Sequence, residues 1–193
     1  MINPVVFSNI AGAVTIDTGG GNRVFVPVKS FKTLRDENLV KQAYDYSCGA
    51  AALATLLTYG LGDNVTEQEV LSEAMTSLSS DDFDLRKKDG LSLLDLQRVS
   101  MVRGHKAQGF RLAPEFLSQL KKPVMVFIQP RGYEHFAVLK GVREDSVYLA
   151  DPSLGNVRMP MYRFLEMWLD ESGKGVIFVV ERSDGRWPDN YQL

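Results

Sequence analysis

From Pro123 onward, short β-branched and aromatic runs alternate with turn residues: Val124 to Gln129, His135 to Val142, Ser146 to Ala150 and Gly175 to Glu181. Runs of this length and makeup read as strands. The links Gln129-Pro130-Arg131-Gly132, Arg143-Glu144-Asp145 and Pro152-Ser153-Leu154-Gly155 have hairpin length and are too short for parallel crossovers. The second half is therefore expected to form an antiparallel sheet.

The first half carries a helical pattern instead. Between Gln42 and Leu57 the run Cys48-Gly49-Ala50-Ala51-Ala52-Leu53-Ala54 is small and apolar nearly all round, with Gly60 as its expected stop; a helix apolar on every side is buried. Thr66-Glu67-Gln68-Glu69 has the capping-box form and opens a helix to about Ser77. Leu93, Leu94, Leu96, Val99, Met101 and Val102 predict a third helix ending at Gly104, and Pro114 starts a short one that Pro123 ends. The charged stretch Ser79 to Gly90 reads as a solvated loop. Helices followed by strands predict an α+β fold. Ahead of them, Val14 and Ile16, the turn Gly19-Gly20-Gly21-Asn22, and Val24, Val26 and Val28 predict a β-hairpin. The expected organisation is an N-terminal appendage (1–36), one domain (37–182) and a C-terminal tail (183–193).

Composition narrows the function classes. The 193 residues are 45% hydrophobic and 24% charged, the usage of an ordinary globular domain. With 22 Lys+Arg against 24 Asp+Glu and no basic stripe, nucleic acid is not expected as a partner. No apolar run reaches the roughly 18 residues of a membrane span, so no membrane insertion is expected. The start Met1-Ile2-Asn3-Pro4 lacks a basic segment followed by an apolar stretch. It reads as a chain that stays inside the cell or as a mature form whose signal has been removed. One cysteine and two histidines exclude an intrachain disulfide and are a thin supply for zinc, so neither metal nor cofactor is expected.

The candidate chemistry centres on that cysteine. Cys48 stands at the first turn of its helix, where the macrodipole stabilises a thiolate; the alternative is a small buried hydrophobe among alanines. Catalysis by a thiolate needs a base, a group to orient the base, and a donor to the oxyanion. His135 opens an apolar strand, and Asp151 closes the next one ahead of Pro152, which keeps it extended. In a tight hairpin the start of one strand lies beside the end of its neighbour, so His135 and Asp151 are expected to meet. His105 is the competing base. It follows Gly104 at a helix end, where a histidine reads as a C-terminal cap or a surface residue.

Gln42-Ala43-Tyr44-Asp45-Tyr46-Ser47-Cys48-Gly49, His135-Phe136-Ala137-Val138-Leu139 and Asp151-Pro152-Ser153-Leu154-Gly155 together resemble, in order, the signature blocks of the papain-like peptidases that process bacteriocin and peptide-pheromone precursors at double-glycine leaders. The resemblance spans roughly Leu39 to Glu181. It implies a papain-like fold in which a buried nucleophile helix packs on the antiparallel sheet. It further implies Cys48 as nucleophile, His135 as general base and then acid, Asp151 as the group orienting the imidazole, and Gln42 as oxyanion donor.

The substrate so implied is a peptide or protein precursor cut after Gly-Gly or Gly-Ala, with small residues before the cut. The familiar members are fused to an exporter; this chain resembles the stand-alone branch, which would work beside separate export machinery. That branch is often exported, which favours the periplasm or cell envelope over the cytoplasm. Ser47 occupies a position where the fused members commonly carry Asp. The appendage has no counterpart in those domains and is read as an edge strand, a docking segment or a partial plug, its Gly19-Gly20-Gly21 being a conceivable self-cleavage site. Two other readings share the scaffold: a non-catalytic module that binds leader peptides, and an acyl transferase.

Overall fold

The computed structural model describes residues 13–17, 23–76, 78, 80–189, 191 and 193. The chain divides into two units, Met1–Glu37 and Asn38–Leu193. In the first, strands β1 (Ala13–Asp17) and β2 (Arg23–Pro27) pair antiparallel, with Val14 opposite Val26. A short helix α1 (Phe31–Arg35) follows, its N-terminus capped by Ser30 Oγ, which accepts the Thr33 N–H. The glycines of the expected turn, and with them any cleavage at Gly19-Gly20-Gly21, lie outside the described residues.

The second unit begins with α2 (Cys48–Thr55), every residue of which is buried. Gly60 does not end it. A π-helical turn, Leu56–Leu61, carries the chain on to Gly62, whose φ of 74° makes the stop that glycine permits. Next come α3 (Glu67–Thr76), α4 (Ser80–Asp89) and α5 (Leu93–Val102). Helix α4 replaces the expected loop. It has no apolar stripe, but Lys87 lies over the Phe83 ring one turn away, Arg86 bonds Asp95 of α5, and Gly90 at φ 84° ends it.

The strands are β3 (His105–Leu112), β4 (Val124–Ile128), β5 (His135–Arg143), β6 (Ser146–Asp151), β7 (Gly155–Pro160) and β8 (Gly175–Arg182), with α6 (Met161–Trp168) between the last two. They form one sheet in the order β3-β8-β4-β5-β6-β7, and every pairing is antiparallel. One element departs from the expectation, β3, which begins where a helix cap was read; β7 and α6 fill a stretch to which the sequence pattern assigned no element.

The sheet is covered on both faces. Alternate strand residues point opposite ways: Met125, Phe136 and Val138 join the core beneath α2, α3 and α5, whereas Val126, Ala137 and Leu139 join a second core with Phe164 and Trp168 of α6. Gly175 is required where it stands. A Cβ there would lie 2.0 Å from the Trp168 ring, whose Nε1–H donates to Val176 O at 3.0 Å.

Candidate active site

Cys48 reaches the sheet because its helix has almost no side chains in the way. The alanines of α2 let it lie close to its neighbours, and Gly49 is the critical step: a Cβ at that position would sit 3.2 Å from Phe136 Cδ2. Phe136 follows His135 on β5, so this close approach brings the first turn of the helix beside the imidazole. Cys48 is 8% exposed.

His135 and Asp151 ride on one hairpin, β5 and β6, whose ladder shifts register between Leu139 and Gly141. His135 Nε2 lies 3.1 Å from Asp151 Oδ1. The same carboxylate oxygen accepts the Ser153 N–H at 2.8 Å, the Ser153 hydroxyl at 2.8 Å and the Leu154 N–H at 3.0 Å. The loop after β6 thus closes on the aspartate and holds it toward the histidine. With Nε2 engaged, Nδ1 remains for the thiol.

The electrostatics follow from this geometry. Burial alone would drive protons off His135, but its bonds to Asp151 and Cys48 outweigh that and lift its pKa from 6.5 to about 9. Burial would likewise push Asp151 up. The His135 bond, the Leu154 N–H and the Ser153 hydroxyl prevail and lower it from 3.8 to about 2. The favoured state of the pair is imidazolium beside carboxylate.

Gln42 lies on an irregular segment ahead of α2. Its backbone N–H donates to Pro152 O at 3.1 Å, so the segment is stitched to the loop that follows Asp151. Its side-chain Nε2 donates to Tyr44 O at 3.1 Å. An amide nitrogen has two N–H donors, and this bond uses one. His135 and Asp151 thus meet on the hairpin beneath the Cys48 helix, and the Gln42 segment is tied to the loop that follows Asp151 and to Ser47 ahead of Cys48.

His105 has a different place from the one expected. It is neither a cap nor a surface residue but opens β3 with a side chain 9% exposed, its Nε2 3.1 Å from Asp63 Oδ2. Asp63 also takes two bonds from Arg103, at 2.9 and 2.8 Å, and Arg103 reaches Glu73 Oε1 at 2.8 Å. Burial was the missing signal, and the polar neighbours of His105 in sequence concealed it.

A cavity of about 380 Å³ opens beside the thiol. Leu91, Leu93, Leu94, Phe127, Phe136 and Val176 form its apolar walls, and Asp89 and Glu134 also line it. Gly90 shapes that wall, since a Cβ there would meet Tyr46 O at 2.9 Å. Among the described residues no cluster of His, Cys, Asp and Glu could hold a metal ion, and no helix is long and apolar enough to cross a membrane.

The profile described as "Peptidase C39 family" matches residues 36–183. A protein of Pseudomonas fluorescens, "Probable functional amyloid protease FapD", is 38% identical over 161 residues, covering 83% of this chain and 68% of its own length. The lactococcin-G-processing and transport ATP-binding protein LagD of Lactococcus lactis is 24% identical over 135 residues, 68% of this chain and 18% of its own. Among solved structures, a double glycine motif protease from an AMS/PCAT transporter, in complex with its leader peptide, superposes with a TM-score of 0.60 at 26% identity, covering 74% of this chain and 89% of that one. The peptidase domain of Streptococcus ComA has a TM-score of 0.60 at 21% identity and covers 75% and 97% of the two chains.

Proposed function

The chain belongs to the Peptidase C39 family and is a cysteine peptidase, and from that premise we propose that Cys48, His135, Asp151 and Gln42 carry its reaction, cutting a protein precursor after a Gly-Gly or Gly-Ala pair. The observation that supports this most directly is the His135–Asp151 contact of 3.1 Å on the hairpin against which the Cys48 helix packs.

In this reading the protonated imidazole of His135 partners a Cys48 thiolate. The thiolate sulfur attacks the carbonyl carbon of the second small residue, and the carbonyl π electrons move onto oxygen. Gln42 donates its remaining amide N–H to that oxygen, stabilising charge that exists only after attack. His135 then gives its proton to the departing amine as the C–N bond breaks, leaving an acyl-enzyme. A water attacks the thioester, His135 takes its proton, and the thiolate leaves. Asp151 stays ionised throughout and holds Nε2–H, fixing the ring with Nδ1 toward the sulfur.

The cavity beside Cys48 would receive an apolar segment of the substrate. As to the substrate's source, identity favours the FapD proteins over LagD, 38% against 24%. We therefore assign the precursor to a functional amyloid system rather than to a bacteriocin, and place the enzyme in the periplasm or cell envelope.

The test uses fluorogenic peptide amides ending in Gly-Gly, Gly-Ala or Leu-Leu. Release after the small pairs alone, with loss of all release in Cys48→Ala, supports the proposal. Cleavage that survives Cys48→Ala, or binding of all three amides without turnover, would overturn it, the second outcome favouring a leader-binding module.

A further inference from the structure

The segment that carries Gln42 has no regular structure, yet its backbone is tied down residue by residue. Val40 N–H donates to Thr55 Oγ1 at 3.0 Å, Gln42 N–H to Pro152 O at 3.1 Å, Ala43 N–H to Glu67 Oε1 at 2.8 Å, and Tyr44 N–H to Ser47 Oγ at 3.1 Å. Thr55, Glu67 and Ser47 are among the few buried polar side chains of the described residues, 0%, 6% and 0% exposed. Burying such groups is costly unless they are bonded, and here their bonds converge on one short stretch.

Glu67 is the unusual member. It stands in the first turn of α3, where an acidic side chain ordinarily serves its own helix. That task is already filled: Glu69 Oε2 accepts the Thr66 N–H at 2.7 Å and the Thr66 hydroxyl at 2.8 Å, and Thr66 Oγ1 accepts the Glu69 N–H at 3.2 Å. Glu67 turns inward and bonds the residue next to Gln42 instead.

The Gln42 side chain itself is loosely held. Its Nε2 bonds Tyr44 O, two residues away, and its amide oxygen is buried with no partner among the described residues. The direction of its free N–H is therefore set by the backbone at 42–44. We infer that Glu67 is a positioning residue for the oxyanion donor: its carboxylate fixes the Ala43 peptide and thereby aims the Gln42 amide at the oxygen that develops charge. The inference rests on the role of Gln42 proposed above.

Two reactions of Cys48 separate aiming from mere folding. Alkylation by iodoacetamide is displacement at a tetrahedral carbon and creates no oxyanion, so it reports the thiol and His135 alone. Hydrolysis of a Gly-Gly peptide amide needs the donor as well. Glu67→Ala is expected to lower kcat about 10- to 100-fold, the range expected for a small misplacement at a distance, with KM and the alkylation rate within about twofold of wild type. Glu67→Gln, which keeps an acceptor oxygen, should restore most of kcat. In a Gln42→Ala background, Glu67→Ala should cost nothing further, because the group it aims is gone.

Should Glu67→Ala fail to fold, Glu67→Met fills the space without an acceptor and carries the same expectations. Unchanged kcat in a folded variant, an equal loss repeated on top of Gln42→Ala, or a parallel fall in alkylation would each overturn the inference. Unchanged kcat in Gln42→Ala would instead overturn the oxyanion assignment itself, a result distinguishable from a silent Glu67→Ala beside a deficient Gln42→Ala.

Discussion

The molecule contains the same pair twice. His135 stands 3.1 Å from Asp151, and His105 stands 3.1 Å from Asp63. Distance alone does not separate them, but their surroundings do. Asp63 is shared with Arg103, whose bonds are the foremost reason its carboxyl is held below the ordinary range, with His105 a lesser one. Among the described residues, Asp151 has no cationic side chain on it but His135. His135 has a thiol on its other side, whereas His105 Nδ1 is buried with no partner among the described residues. An aspartate–histidine contact is thus a common structural unit. It gains chemistry when the acid is left to the imidazole alone and a nucleophile faces the second nitrogen.

The largest contrast to test lies in turnover. Cys48→Ala and His135→Ala are each expected to lower hydrolysis of a Gly-Gly peptide amide by about 10⁴-fold or more. His105→Ala should leave kcat/KM within about twofold and show its effect in urea unfolding, at about 1–3 kcal/mol. A turnover defect in His105→Ala comparable to that in His135→Ala would erase the distinction.

Next come the acids. Asp151→Asn keeps the shape but not the charge, and about a 10²- to 10⁴-fold loss of kcat is expected. Asp63→Asn leaves Arg103 only Glu73 as a carboxylate partner and should cost about 1–3 kcal/mol of stability with little change in kcat. Steady-state kinetics beside urea melts on both variants sharpens the comparison.

The smallest effect is the pH dependence of stability. His135 has a pKa near 9 when folded against 6.5 ordinarily, so its charged form favours the folded state. That contribution is complete below pH 6.5 and disappears as pH rises through about 9. Asp151 behaves in the opposite sense, contributing above pH 3.8 and losing its contribution as pH falls toward 2. Melting temperatures of wild type between pH 6 and 10 should carry the first slope; His135→Ala should flatten it, and His105→Ala should keep it.

Much of this was legible in the chain, for identifiable reasons. Val124 to Ile128 and His135 to Val142 are apolar on both faces because the sheet is covered on both, and such runs announce themselves. The meeting of His135 and Asp151 followed from hairpin arithmetic alone. Helix α4 was illegible as a helix because Ser80 to Asp89 has no apolar period, and its order comes from Arg86, Lys87 and Gly90. Strand β3, at the sheet's edge, shows mostly polar or exposed positions. In α6, Met161, Phe164, Leu165 and Trp168 do stand at helical spacing; the strand runs on either side overshadowed them. The inward turn of Glu67 could not be read, since an acidic residue after Thr66 looks the same whether it faces water or the core.

One consequence lies in how the site is divided. The sulfur sits on a helix of one layer, and His135 and Asp151 sit on a single hairpin of the sheet, against which that helix packs with Gly49 close to Phe136. The hairpin is local in sequence and can form its own ladder early, but a Cys48 helix that has not yet docked has no imidazole beside it. On the assignment proposed above, a growing or part-folded chain therefore carries an idle thiol, and the peptidase becomes dangerous to its neighbours only once its own folding is finished.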